Sequence, residues 1–217
     1  MCGNHVGGVP IVLGLLEAGH RFAYFVCQSP AQAEQEGVAG YHDYSSLARE
    51  HGIPVHVAER FDLTGPSDLA LFREQRFDAL VQGGWQRLFP QAVLETLRIG
   101  AIGVHGSADP LPKGRGRSPL NWSLIEGRRR FVMQLFLITP GIDDGDTFDT
   151  ETFDITPFDD VETLYLKYGI VLRNMHLRSL PTLIAGDAEF SPQTGEPSYY
   201  PKRTPADARI DWEAMDV

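Results

Sequence analysis

Two parts of this sequence carry residues suited to acid–base chemistry. His105 closes the apolar run Ala101-Ile102-Gly103-Val104 and opens a segment from Gly106 to Pro119 that is rich in glycine, proline and cations. A histidine at the carboxyl end of a strand is placed for proton transfer, because those ends line the ligand crevice of open α/β sheets and imidazole titrates near neutral pH. The second part is the turn Gly141-Ile142-Asp143-Asp144-Gly145-Asp146, in which glycines let a ligand approach three closely spaced carboxylates. Alone, such a turn reads as a solvated loop or a weak calcium site. With His105 on the same sheet it becomes a more specific constellation.

Other candidates are weaker. The seven histidines include no pair at helical metal-ligand spacing, and Cys-x-x-Cys and His-Glu-x-x-His are both missing, so no metal site is expected. His51 and His56 flank a short strand and read as a surface pair. The turn Gly3-Asn4-His5-Val6-Gly7-Gly8 sits where a dinucleotide fold places its phosphate loop. Its spacing is not G-x-G-x-x-G, and the next strand ends in Cys27-Gln28 without an acidic ribose ligand, so a plain tight turn is the better description. A nicotinamide enzyme stays as an alternative, distinguished by hydride transfer.

The elements that must position these residues alternate. A helix over Ile11–Leu16 is followed by a strand Arg21–Cys27, a helix Ser46–His51, a strand Pro54–Val57, a helix Pro66–Glu74 and a strand Asp78–Gln82. A helix Pro90–Leu97, the strand Ala101–His105 and a helix Pro119–Glu126 come next. Two strands, Phe131–Thr139 and Thr147–Ile155, are close enough in sequence to pair antiparallel. A long helix spans Val161–Ala185, with Gly169 as a potential interruption. The pattern predicts an α/β, Rossmann-like, mostly parallel sheet with helices on both faces and a short antiparallel edge pair. The glycine turn follows Met1 and Cys2 at once, so further strand residues are expected upstream of it.

The chain has 217 residues, enough for one large single-core domain, and no apolar run approaches the roughly 20 residues of a membrane-spanning helix. Its net charge of -10 disfavours general binding to polyanions. With only Cys2 and Cys27 and no signal peptide, a cytoplasmic protein is expected.

Gly103-Val104-His105-Gly106-Ser107, the loop Leu111-Pro112-Lys113-Gly114-Arg115-Gly116-Arg117-Ser118-Pro119 and the turn Asp143-Asp144-Gly145-Asp146 together resemble the folate-dependent formyltransferase family. Gly83-Gly84-Trp85-Gln86-Arg87-Leu88 is similar to its donor-binding loop, and Tyr200 to Asp207 with Ile210-Asp211-Trp212 is similar to the segment after its catalytic domain. The resemblance covers nearly the whole chain and implies a catalytic domain over residues 1–189 with a C-terminal extension over 190–217. It implies 10-formyltetrahydrofolate as formyl donor, His105 as acid/base and oxyanion donor, and Asp143 as its partner. Trp85, Gln86, Arg87, Leu88 and Phe89 with Thr139, Pro140, Gly141 and Ile142 are then the loops that hold the pterin, largely through backbone groups. Two departures stand out: the family's catalytic Asn falls on Gly103, and the loop from His105 to Arg115 is longer than usual. Loss of one oxyanion donor costs about 2.7 to 4 kcal/mol unless a backbone amide, a water or another side chain such as Asn4 or Asn121 takes its place. A non-catalytic folate-binding protein is therefore a further alternative.

For the acceptor, the resemblance leaves several amines. Methionyl-tRNA formyltransferases normally carry an additional C-terminal domain, and the negative charge makes a nucleic-acid partner a poor expectation. Ser107, Lys113, Arg115 and Arg117 are the candidate acceptor-binding residues, the cations suiting phosphates. A nucleotide-linked amino sugar is favoured, ahead of a hydroxyornithine-type amine or glycinamide ribonucleotide. A homodimer is left open.

Overall fold

The computed structural model describes residues 1–209 and Trp212. Ile210 and Asp211 of the family-like tail segment lie outside the described residues.

The chain begins in β1 (Cys2–Gly3) and α1 (Val9–Glu17), then runs through β2 (Phe25–Cys27), α2 (Pro30–Gln35), α3 (Ser45–Glu50) and β3 (Val55–Val57). Next come α4 (Pro66–Gln75), β4 (Ala79–Gly83), α5 (Gln91–Leu94), β5 (Gly100–Ser107), β6 (Arg115–Gly116) and α6 (Pro119–Ile125). The last elements are β7 (Arg130–Leu137), β8 (Thr147–Asp154), α7 (Val161–Ala185) and β9 (Tyr199–Tyr200). The main sheet has the order β3-β2-β1-β4-β5-β7-β8, with β6 and β9 paired separately. The first five strands are parallel; β7 is antiparallel to β5 as well as to β8. The predicted α/β sheet and its antiparallel edge are both present, and the antiparallel part extends one strand further inward than the sequence pattern indicates.

Some boundaries differ from those expected. The strand read from Arg21 is confined to Phe25–Cys27, and the helix read over Pro90–Leu97 is the single turn α5. The sequence reading missed α2, although its start is well marked: Ser29 and Gln32 form a capping box around Pro30. Gly169 does not interrupt α7, which runs unbroken past it with Pro10 of the α1 N-terminus as its neighbour. In the amino-terminal turn, a Cβ on Gly8 would lie 2.8 Å from the Gly83 Cα at the end of β4. That glycine is explained by close packing of two backbone segments.

Each face of the sheet has its own core. Ile102 and Val81 pack with Ile11 and Leu15 of α1, with Leu164, Leu172 and Met175 of α7, and with Phe131, Met133 and Leu135 of β7. Ala101 and Leu80 pack on the opposite face with Phe72, Val93, Leu97, Trp85 and Phe89. Side chains alternate along a strand, so Gly103 and His105 share the Ala101 face while Val104 turns toward α1 and α7. The strand order reverses between β1 and β4, which creates a crevice at their carboxyl ends.

Candidate active site

His105 and Asp143 come together. His105 is buried, with Nε2 2.8 Å from the Gly114 carbonyl and Nδ1 3.5 Å from Oδ2 of Asp143. A carbonyl can only accept, so Nε2 carries a proton and donates it to Gly114. The Nδ1 to carboxylate contact then needs one further proton between the two groups. Burial drives the His105 ring toward its neutral form and the Asp143 carboxyl toward its protonated form, each against the attraction of the other. Arg115 opposes the second tendency, lowering Asp143, and also lowers His105. The two tendencies oppose one another across a 3.5 Å contact, with His105 buried and Asp143 partly open to solvent.

Local chain geometry fixes both partners. Opposite His105 in the β5–β7 ladder stands Gln134, whose Oε1 accepts from the Leu111 amide at 2.6 Å and so holds the loop that returns to Gly114. Asp143 has a left-handed backbone (φ 48), a conformation disfavoured for a residue with a Cβ and maintained by its surroundings. Gln193 supplies part of that support, donating from Nε2 to the carbonyls of Asp143 and Gly145 at 2.8 Å each. The sequence reading assigned no role to Gln134 or Gln193. A polar residue inside the apolar run of β7 is the signal that could have exposed the first.

The remaining expected site residues divide. Ser107 and Arg115 are buried beside the pair, and Arg115 is held by Gln193 Oε1 at 2.6 Å and Tyr199 at 3.3 Å. Lys113 and Arg117 are exposed. Trp85 and Phe89 are buried in the second core, while Gln86, Arg87 and Leu88 reach the surface. Arg87 lies over the Phe61 ring at 4.4 Å and pairs with Glu36 at 3.0 Å. Thr139, Pro140, Gly141 and Ile142 form a largely exposed turn in which the Thr139 hydroxyl bonds to Asp144. Among the described residues no cluster of metal-ligating side chains occurs.

Gly103 is closed off. A Cβ there would meet the Phe136 ring at 2.7 Å and Ile138 at 2.8 Å, so the space beside it on the His105 face is filled by apolar side chains. Asn4 is also committed: it is fully buried and its Nδ2 donates to Gln28 at 2.5 Å.

A cavity of about 900 Å³ lies at the strand-order reversal, lined by Gly84, Trp85 and Gln86, by His5 and Pro10, and by Val104, Tyr165 and Tyr168. A smaller one of about 190 Å³ reaches His105 and shares Val104, Tyr165 and Tyr168 with it. The larger cavity is mostly apolar, and the buried indole N–H of Trp85 on its border has no hydrogen-bond partner. A flat heterocycle with polar edges suits such a lining, so Gly84 to Gln86 fit the donor expected from the sequence. Thr139 to Ile142 do not line this cavity.

A doubly wound sheet with a histidine–carboxylate pair beside the crevice at its reversal point defines a Rossmann-like enzyme class. The chain belongs to the formyl transferase family, whose model matches residues 23–171. It is 29% identical over 185 residues to the methionyl-tRNA formyltransferase of Lactobacillus acidophilus, covering 85% of this chain and 58% of that protein. The chain therefore spans under two thirds of that relative's length. Among solved structures it is similar to HypX from Aquifex aeolicus, in a variant form, with 26% identity and a TM-score of 0.62, covering 80% of this chain and 29% of that one. A sugar N-formyltransferase from Shewanella sp. shares the fold, with a TM-score of 0.72 at 14% identity, over 100% of this chain and 81% of the other.

Proposed function

We propose that this chain transfers the formyl group of 10-formyltetrahydrofolate to a primary amine, with a nucleotide-linked amino sugar as acceptor and the cytoplasm as its place of work. The observation that carries the reaction class is the His105–Asp143 pair beside the crevice of a formyl transferase family chain. The donor binds along the Trp85–Phe89 loop, a reading supported by the lining of the large cavity by Gly84 to Gln86, while Thr139–Ile142 lie outside that lining. In the reaction the amine nitrogen forms a bond to the formyl carbon, the bond from that carbon to the folate nitrogen breaks, and the amine's proton ends on the released folate nitrogen. His105 donates from Nε2 to the oxygen that gains charge, a bond taken over from the Gly114 carbonyl. Asp143, on the other ring nitrogen, keeps the imidazole oriented and holds the proton that the pair shares.

The exposed cations Lys113 and Arg117, on the loop that leads from His105 to α6, support a phosphate-bearing acceptor. Similarity to a methionyl-tRNA formyltransferase over most of this chain supports methionyl-tRNA as the second reading. Both are tested by release of tetrahydrofolate from 10-formyltetrahydrofolate in the presence of nucleotide-linked amino sugars or methionyl-tRNA. His105→Ala should reduce turnover on the order of a hundredfold or more, and Asp143→Asn by a similar factor. Full activity in both variants would remove this pair from the mechanism.

A further inference from the structure

The stretch from Ser191 to Tyr200 lies across both loops that meet at His105. Ser191 exchanges backbone hydrogen bonds with Thr147 at the start of β8, at 2.7 and 3.0 Å. At the other end the Ser198 hydroxyl accepts from the Gly114 amide at 2.9 Å, and its carbonyl accepts from the Arg115 amide at 2.9 Å. Between these anchors stands Gln193. Its Nε2 donates to the carbonyls of Asp143 and Gly145, and its Oε1 accepts from Arg115 Nη2. One side-chain amide therefore joins the acidic turn to the basic loop.

We infer that Gln193 is a positioning residue for this site: its amide fixes the separation of the Gly114–Gly116 and Asp143–Gly145 segments and so holds both partners of the His105 ring in place. The inference rests on the reading that His105 and Asp143 are the reacting pair. Asp143 keeps a left-handed backbone only while its neighbours hold it, and Gln193 bonds to that residue's own carbonyl. Gly114, whose carbonyl accepts from His105 Nε2, is next to Arg115, the residue held by the other end of the same amide. A displacement of about 1 Å at such a site costs on the order of a hundredfold in rate.

The groups that act on the pair come from several elements. They are Asp143 and Asp144 on the turn, Arg115 and the Gly116 backbone amide on β6, and the Gly114 carbonyl, while Tyr168 of α7 responds to the Asp143 charge. Removal of the Gln193 amide frees the two segments and admits water; relief of burial, the largest influence on His105, moves its titration upward and outweighs the opposite effect of loosening Asp143 and Gly114, which both raise it. Gln193→Ala removes all three bonds. Gln193→Glu retains an acceptor for Arg115 but sets an oxygen against two carbonyls, so its kcat tests the donor half; because it also adds a negative charge that raises a nearby imidazole, the titration is judged on Gln193→Ala.

The experiment is a nuclear magnetic resonance titration of the His105 ring in the full chain, for wild type, Gln193→Ala and Gln193→Glu, alongside kcat and KM for formyl transfer. A thermal melt confirms that each variant is folded. The expected result is an upward move of the titration in Gln193→Ala. With it, kcat falls ten- to a hundredfold, to order of magnitude, while KM stays within about threefold. A tail residue with a merely structural role would lower the melting temperature and leave the titration unchanged. The inference is overturned if Gln193→Ala titrates like wild type, whatever its turnover. If the titration moves and kcat does not, His105→Ala decides: an inactive variant overturns the positioning role, and an active one overturns the formyl-transfer reading.

Discussion

At the scale of the residue, Gly103 shows how a substitution in one strand is matched by its neighbours. The family's Asn position is a glycine here, and directly across the ladder Phe136 spreads over it with Ile138 beside it. A water or a neighbouring amide has no room on that side, so the glycine does not open a path for a replacement donor. Asn4 is locked to Gln28, which leaves Asn121 as the one sequence-level substitute not tied down by a side-chain bond among the described residues. Gly103→Asn should therefore fail to raise turnover and should destabilise the fold by about 1 to 3 kcal/mol, the cost of forcing atoms into a packed core. Denaturant unfolding of Gly103→Asn with and without Phe136→Ala checks this. The second change is expected to recover part of the loss caused by the first, because it vacates the space that the Asn side chain needs.

Elements carry two further consequences. His176 lies inside α7, fully buried, with Nδ1 donating to the Leu172 carbonyl at 2.8 Å and Nε2 unpartnered. Burial lowers its pKa from 6.5 to about 4. The folded state therefore releases a proton that the unfolded chain binds, and the stabilisation present above pH 6.5 is lost as the pH falls through about 4. The loss amounts to about 3 kcal/mol. His176→Leu should flatten the dependence of unfolding free energy on pH in that interval by about one proton, as read from denaturation curves at several pH values. At the start of α4, buried Asp68 accepts from the Glu59 and Arg60 amides at 2.9 and 3.0 Å and meets His56 Nε2 at 2.8 Å. His56 is thus anchored to the interior, where the sequence suggested a surface pair with His51. Asp68→Ala should cost about 3 kcal/mol, because it leaves two amides and a ring nitrogen without their acceptor.

At the scale of the whole molecule, the parts that were legible in the sequence are those with local signals. The alternation of helices and apolar runs reveals the sheet, the Pro140–Asp146 turn reveals the antiparallel pairing of β7 with β8, and the end of a strand marks His105. What the sequence hides is long-range. Gln193 lies 50 residues from Asp143, and Ser198 lies 84 from Gly114, so no spacing rule connects them. The expected division at 189/190 separates exactly these partners, since all the tail's described bonds to the site arise from Ser191 to Pro201. Beyond that stretch, Thr204 and Asp207 bond only to one another. Two truncations follow from this layout. Ending the chain after Lys202 retains the β6–β9 pair, the Gln193 amide and the stack of Tyr200 on Trp122 at 5.7 Å, and should leave melting temperature and turnover close to wild type. Ending it after Glu189 removes all of them, and with them the Gln193 and Tyr199 partners of Arg115. Loss of these bonds and of the Gln193 amide's hold on the Asp143 turn should lower the melting temperature by at least about 4 °C and abolish formyl transfer together with the His105–Asp143 geometry. Equal melting temperatures for the two chains would show that the tail is a passenger on an already complete domain.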